Sequence, residues 1–205
     1  MKLYYSAAAC SMAAHITARE AGLPVSLVKV DLRTHKTEDG TDFYAVNPKG
    51  YVPAIEFPDG GVLTEVAAVV QYLADQAPGT GLAPAAGTLE RYRFQEWLTF
   101  ISSELHKGMG PLWYPNTPAE TKAAIKAKLA TRFAYIEKAL AGRDYLTGAR
   151  FTAADAYAFT ILNWTGMLGV DITPFPNIRA YMDRIAARPK VQEALQAEGL
   201  LKAAA

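Results

Sequence analysis

Cysteine is almost absent from this chain: there is one in 205 residues, at position 10. A single thiol excludes an internal disulfide framework. Three scattered histidines, His15, His35 and His106, without His-x-x-x-His spacing argue against a metal site. An excess of either charge is missing too. The 21 basic and 20 acidic side chains are interspersed, which excludes the electrostatic footprint of a nucleic-acid binder or of a protein that docks on an anionic membrane. No apolar run approaches the roughly 20 residues of a membrane span. Ala7-Ala8-Ala9-Cys10 after Lys2 faintly resembles a lipoprotein cleavage site. Its apolar stretch is barely long enough, contains Tyr4, Tyr5 and Ser6, and carries helical periodicity straight past the supposed cut. The sequon Asn163-Trp164-Thr165 therefore has no secretory context, and the expected location is cytoplasmic. There is no internal repeat and no extended low-complexity segment. With 51% hydrophobic residues, the chain can bury one large core or two modest ones.

The two halves follow different periods. Lys2-Leu3-Tyr4-Tyr5 reads as a strand, Ser11 to Ala21 as a helix closed by Gly22 and Pro24, and Ser26 to Val30 as a second strand. That β-α-β spacing implies a parallel pair. Val52 to Phe57 and Gly61 to Thr64 flank Pro58-Asp59-Gly60, whose Asp-Gly step predicts a hairpin. From Glu65 to Ala77 the period is helical, with Val66, Val69, Val70, Leu73 and Ala74 on one side. The stretch from Ala77 to Thr88, rich in proline and glycine, is the expected boundary. Beyond it every segment is helical: Leu89 to Met109, Pro118 to Ala141, Ala153 to Leu168, Pro176 to Ala187 and Lys190 to Leu201. Thr152-Ala153-Ala154-Asp155 has the spacing of a capping box.

Cys10 falls where the first strand meets the first helix. A helix N-terminus offers partial positive charge and unpaired N–H groups, which favour a thiolate. A second cysteine three residues on would suggest a dithiol oxidoreductase, but position 13 is alanine. If the thiol works, its partner thiol arrives on a small molecule, of which glutathione is the abundant intracellular example. The competing reading is a buried cysteine that merely packs.

Taken together, Lys2-Leu3-Tyr4-Tyr5 leading to Ala9-Cys10-Ser11, Val46-Asn47-Pro48-Lys49-Gly50-Tyr51-Val52-Pro53-Ala54, Leu63-Thr64-Glu65, Gln71 to Asp75, Glu104-Leu105-His106-Lys107 and Phe151 to Tyr157 resemble the bacterial beta-class cytosolic glutathione transferases over essentially the whole chain. The resemblance implies an α/β thioredoxin-like domain over 1–80 that binds glutathione, then an all-α helical domain over 87–205 that carries a hydrophobic substrate site. It implies that Val52 precedes a cis-proline, Pro53, and offers its backbone to the cysteinyl unit of glutathione. Glu65 and Val66 would hold the γ-glutamyl end, and His35 or Lys36 the glycyl carboxylate. Cys10, Ser11 and His106 would act on the sulfur, with Lys107 beside them. Thr99, Ser103 and Glu104 would serve the site of a partner subunit in a homodimer. Met109, Leu112, Trp113, Tyr114, Trp164 and Leu168 would line the place of a hydrophobic electrophile. No metal is implied.

Three positions depart from the family pattern. Val66 replaces a small residue, Thr99 an asparagine, and Ala7-Ala8 a Pro-Gly pair, so the loop before Cys10 is expected to take a different shape. The reaction implied is conjugation of the glutathione thiol to hydrophobic electrophiles. Two alternatives stand beside it: a glutaredoxin-like disulfide reduction through Cys10, and binding of glutathione or a hydrophobic ligand without turnover.

Overall fold

Strand β1 (Lys2–Tyr5) is the spine of the N-terminal half. It pairs in parallel with β2 (Ser26–Asp31), whose outer edge takes the two-residue β3 (Lys36–Thr37). On its other side β1 runs antiparallel to β4 (Ala54–Glu56), which the Asp59-Gly60 turn joins to β5 (Val62–Thr64). The order is β3-β2-β1-β4-β5. The register sets Leu3 opposite Ile55 on one face and Tyr4 opposite Ala54 on the other, and all four are buried. Both faces are therefore covered, which is why β1 reads as a continuous apolar run rather than an alternating one. Tyr4, Val30, Phe43, Val52 and Ala54 form one core cluster. Helix α1 (Met12–Glu20) packs on α2 (Val66–Asp75), which buries the five residues that the helical period selects. Gly22, at φ 67°, turns the chain out of α1 as Leu23 N–H donates to the Ala18 carbonyl.

Described residues of the computed structural model run from 1 to 201. They fall into two units, residues 1–83 with the stretch from Ala187 onward, and Pro84–Ala186. The second is helical. Helix α3 (Leu89–Phe100) runs into a widened π-helical turn, Ile101–His106, then α4 (Lys107–Met109) and a 3-10 turn to Trp113. Then come α5 (Ala119–Leu140), α6 (Ala153–Leu162), α7 (Trp164–Leu168) and α8 (Pro176–Ala186). All ten residues of α6 are buried, so it is the axis of this unit. The capping box at its start forms. One Asp155 oxygen accepts from the backbone N–H and hydroxyl of Thr152, and the other from Leu146 N–H and the Tyr181 hydroxyl. Burial raises the Asp155 carboxyl above the ordinary range, while these four donors pull the other way.

The division departs from the expected 87–205 helical domain at its far end. Helix α9 (Pro189–Ala197) groups with the first unit, because it packs along α1 and its flanks are tied there. Arg188 makes a two-pronged pair with Glu20 at 2.7 and 2.8 Å, and Glu198 reaches His15 at 2.9 Å. Among the described residues no helix is long and apolar enough to cross a membrane.

Candidate active site

Cys10 lies in the turn between β1 and α1, and its thiol donates to the Val52 carbonyl across 3.1 Å. Val52 is buried and its bond to Pro53 is cis, as the resemblance implied. One contact thus joins the start of α1 to the approach to β4, two segments 42 residues apart.

The turn itself is closed from inside. Ser11 is fully buried, its hydroxyl accepts from Ser6 N–H at 3.1 Å and donates to the Ser6 carbonyl at 3.2 Å. A hydroxyl has one proton, and here the Ser6 carbonyl holds it. In this structure the Ser11 side chain closes the loop that carries Cys10. In the same loop Ala8 takes φ 61°, a left-handed conformation that glycine adopts at no steric cost and alanine does not. Its N–H donates to Glu198 at 3.3 Å. Glu198 also accepts from His15 Nδ1, while Arg19 Nε donates to His15 Nε2 at 2.8 Å, which sets the imidazole proton on Nδ1.

Glu65 precedes α2 at φ 71°, with its carboxylate at the surface. Lys49 bridges it to Thr64, at 2.7 Å from the Glu65 carboxylate and 2.9 Å from the Thr64 hydroxyl. Nothing in the sequence signalled that lysine beyond its place in the Asn-Pro-Lys-Gly segment. Val66 opens α2 and turns its side chain inward. What position 66 offers a ligand is thus its main chain, at a helix N-terminus suited to a carboxylate. His35, at φ 53°, stacks on Tyr44 with ring centroids 4.5 Å apart, and its Nδ1 is buried without a hydrogen-bond partner. Nε2 is left as the polar atom of that ring able to meet a ligand. Lys36 is exposed on β3.

In the helical unit His106 ends the π-helical turn. Its Nδ1 lies 2.7 Å from the hydroxyl of buried Tyr157, and its ring meets the Trp164 ring edge-on at 5.1 Å. Trp113 continues the aromatic series against Trp164 at 5.4 Å. Of the expected hydrophobic lining, Trp113 and Tyr114 are exposed and Leu168 half-buried. Met109 is fully buried, and Leu112 and Trp164 nearly so. Met109 thus presents no surface of its own, and Leu112 and Trp164 present only a small edge each. Lys107, Thr99 and Ser103 are exposed, and Ser103 donates to the Thr99 carbonyl. Glu104 is engaged by Arg132 at 2.7 Å and Lys128 at 3.8 Å, and the Arg132 hydrogen bond holds its carboxyl below the usual range. Among the described residues no group of three or more His, Cys, Asp or Glu could hold a metal ion.

Residues 8–76 match the model of the glutathione S-transferase N-terminal domain, and residues 97–189 that of the C-terminal domain. Glutathione S-transferase GstA of Escherichia coli O157:H7 is 47% identical over 200 residues, covering 98% of this chain and all of that one. The chain belongs to the glutathione S-transferase family. Within it the likeness is to the bacterial beta class. The beta-class glutathione S-transferase of Sphingomonas chungbukensis superposes at TM-score 0.94 with 45% identity over 98% of this chain and all of that one. A sphingomonad glutathione S-transferase solved with glutathione gives the same TM-score at 47% identity and the same coverage. The protein is thus a beta-class glutathione transferase, an enzyme that conjugates glutathione to electrophiles.

Proposed function

We propose that residues of the first unit bind glutathione along the line Glu65, Val52, Cys10, and that the aromatic series of the helical unit takes an apolar, planar electrophile. The observation that carries this reading is the Cys10 thiol held 3.1 Å from the Val52 carbonyl, at the start of α1. The ligand fits what these residues offer. The Glu65 carboxylate suits the α-amino group, the first-turn amides of α2 suit the α-carboxylate, and the Val52 main chain suits the cysteinyl peptide. Lys36 and His35 Nε2 suit the glycyl carboxylate. His106 donates to the sulfur, with Lys107 adding positive charge. The reading extends to a homodimer, supported by Leu89, Tyr92 and Tyr135, which leave large apolar surfaces exposed on α3 and α5.

Magnitudes limit what deprotonation contributes. A thiol of pKa about 8.5 is only about 3% thiolate at pH 7, and lowering it to about 6.5 makes about three-quarters thiolate. Nucleophilicity falls with basicity at a slope near 0.45, which removes about eightfold of that roughly 25-fold gain. The net factor of about three leaves alignment of sulfur and electrophile as the main source of rate.

The test is glutathione conjugation of chlorodinitrobenzene, with the uncatalysed rate subtracted and glutathione varied. Saturable turnover is expected, with Glu65→Gln raising the glutathione KM about tenfold at little cost in kcat. An unchanged KM in that variant overturns the placement of the γ-glutamyl end. Cys10→Ala is expected to keep most conjugation; its loss, together with loss of disulfide reduction, makes Cys10 the nucleophile instead. Sedimentation at twice the chain mass is the expected result for the dimer.

A further inference from the structure

Tyr157 occupies an unusual place for a phenol. It sits in the middle of α6, the helix buried on every side, and is itself 1% exposed. Its hydroxyl is 2.7 Å from His106 Nδ1, and the two rings are perpendicular with centroids 5.9 Å apart. His106 closes the π-helical turn, a form of helix found in short pieces and frequently at functional sites. The edge of Trp164 confines the imidazole further, at 74° and 5.1 Å. The ring is thus gripped at Nδ1 and along its side.

The chemistry of the pair fixes the direction of the bond. A phenol hydroxyl is a stronger acid than a neutral imidazole N–H, and an imidazole nitrogen is a better acceptor than a phenol oxygen. The stable neutral arrangement has the hydroxyl donating to Nδ1, which leaves the ring proton on Nε2.

We propose that Tyr157 is a positioning residue: its hydroxyl locks His106 in the Nε2–H tautomer and one orientation, so that His106 serves as a hydrogen-bond donor to an anionic sulfur and not as a general base. This rests on the role assigned above to His106. A donor already oriented costs no reorganisation when charge gathers on the sulfur. Without the phenol, the ring is free to place its proton on Nδ1 and turn a lone pair toward the anion.

The experiment compares the wild type, Tyr157→Phe, His106→Ala and the double variant in conjugation kinetics, together with histidine-ring 15N spectra of the first two. Tyr157→Phe is expected to lower kcat about fivefold with the glutathione KM unchanged, and to add nothing in the His106→Ala background. The spectrum of His106 is expected to show the Nε2–H tautomer in the wild type and a mixture in the variant. Additive losses, an unaffected kcat in Tyr157→Phe, or an Nδ1–H tautomer in the wild type each overturn the positioning role while leaving His106 in place. An unaffected His106→Ala overturns the role of His106 itself. The spectrum also separates positioning from a structural effect, since a merely loosened core does not redistribute one ring proton.

Discussion

Replacing Glu198 by alanine tests how the loop before Cys10 is held. The carboxylate is buried, accepts from His15 Nδ1 at 2.9 Å and from Ala8 N–H at 3.3 Å, and both contacts go with it. The His15 ring is 1% exposed, and Arg19 already supplies its Nε2, so its remaining proton on Nδ1 is stranded in the interior. A buried donor left without an acceptor costs about 1–3 kcal/mol, and a lost main-chain hydrogen bond about 1 kcal/mol more. The expected loss is about 3 kcal/mol, a large share of the ~5–15 kcal/mol that holds a typical protein folded. Urea unfolding measures it, followed by far-ultraviolet circular dichroism because the three tryptophans, Trp97, Trp113 and Trp164, all lie in the helical unit. The double variant His15→Phe with Glu198→Leu removes donor and acceptor together. It is expected to be more stable than Glu198→Ala alone, since the fully buried Nδ1–H is no longer stranded, while Ala8 N–H and the partly exposed Arg19 lose their acceptors. A cost under about 1 kcal/mol for Glu198→Ala, or a double variant no better than the single, would refute the reasoning.

Two further outcomes are expected. Gly50→Ala puts a methyl group at φ 69°, 2.7 Å from Tyr44 Cε1 and 3.1 Å from His35 Nδ1, so the stacked rings must part. The variant should lose about 1–2 kcal/mol in urea and bind glutathione about threefold more weakly with kcat preserved; an unchanged KM removes His35 from the site. Glu104→Gln probes the pairing with Arg132. Because the Arg132 hydrogen bond depresses the folded carboxyl, its stabilisation is present above the unfolded pKa of about 4.3 and fades as pH falls through the lower folded value. The stability difference between wild type and Glu104→Gln should therefore shrink between about pH 6 and pH 3, and a constant difference across that range contradicts the assignment.

Most of the fold was legible because its signals are local. A short apolar run marked β1 and alternation β2, the Asp59-Gly60 step marked the β4–β5 hairpin, and the 3.6-residue period selected the five buried residues of α2. The capping box at Thr152 and Asp155 was legible for the same reason. Two-residue β3 carries too few positions for a pattern, and the single helix read from Ala153 to Leu168 in fact breaks at Asn163, which no proline or glycine announces. What the sequence does not encode locally is partnership. Neither the Ser6 carbonyl that takes the Ser11 proton nor the full burial of Met109 is announced by the residues around them. Tyr157 stood in a recognised motif with no stated purpose, because its partner lies 51 residues earlier. Lys49 and Glu198 carry no mark of their own, since a charge in a polar segment is ordinary until its counterpart is located.

The grouping of α9 with the first unit has a consequence for how the protein is made. Translation delivers β1, α1 and the Cys10 turn first, at about 5–20 residues per second. Yet Glu198, which braces that turn, lies 183 positions after His15. The segment that carries the Cys10 turn therefore waits about 10–40 s for the brace that secures it. The first unit is completed only after the second has been made. A fragment cut at residue 83 is an unfinished half, whereas a circular permutant that starts near residue 187 would deliver the brace before the turn it secures.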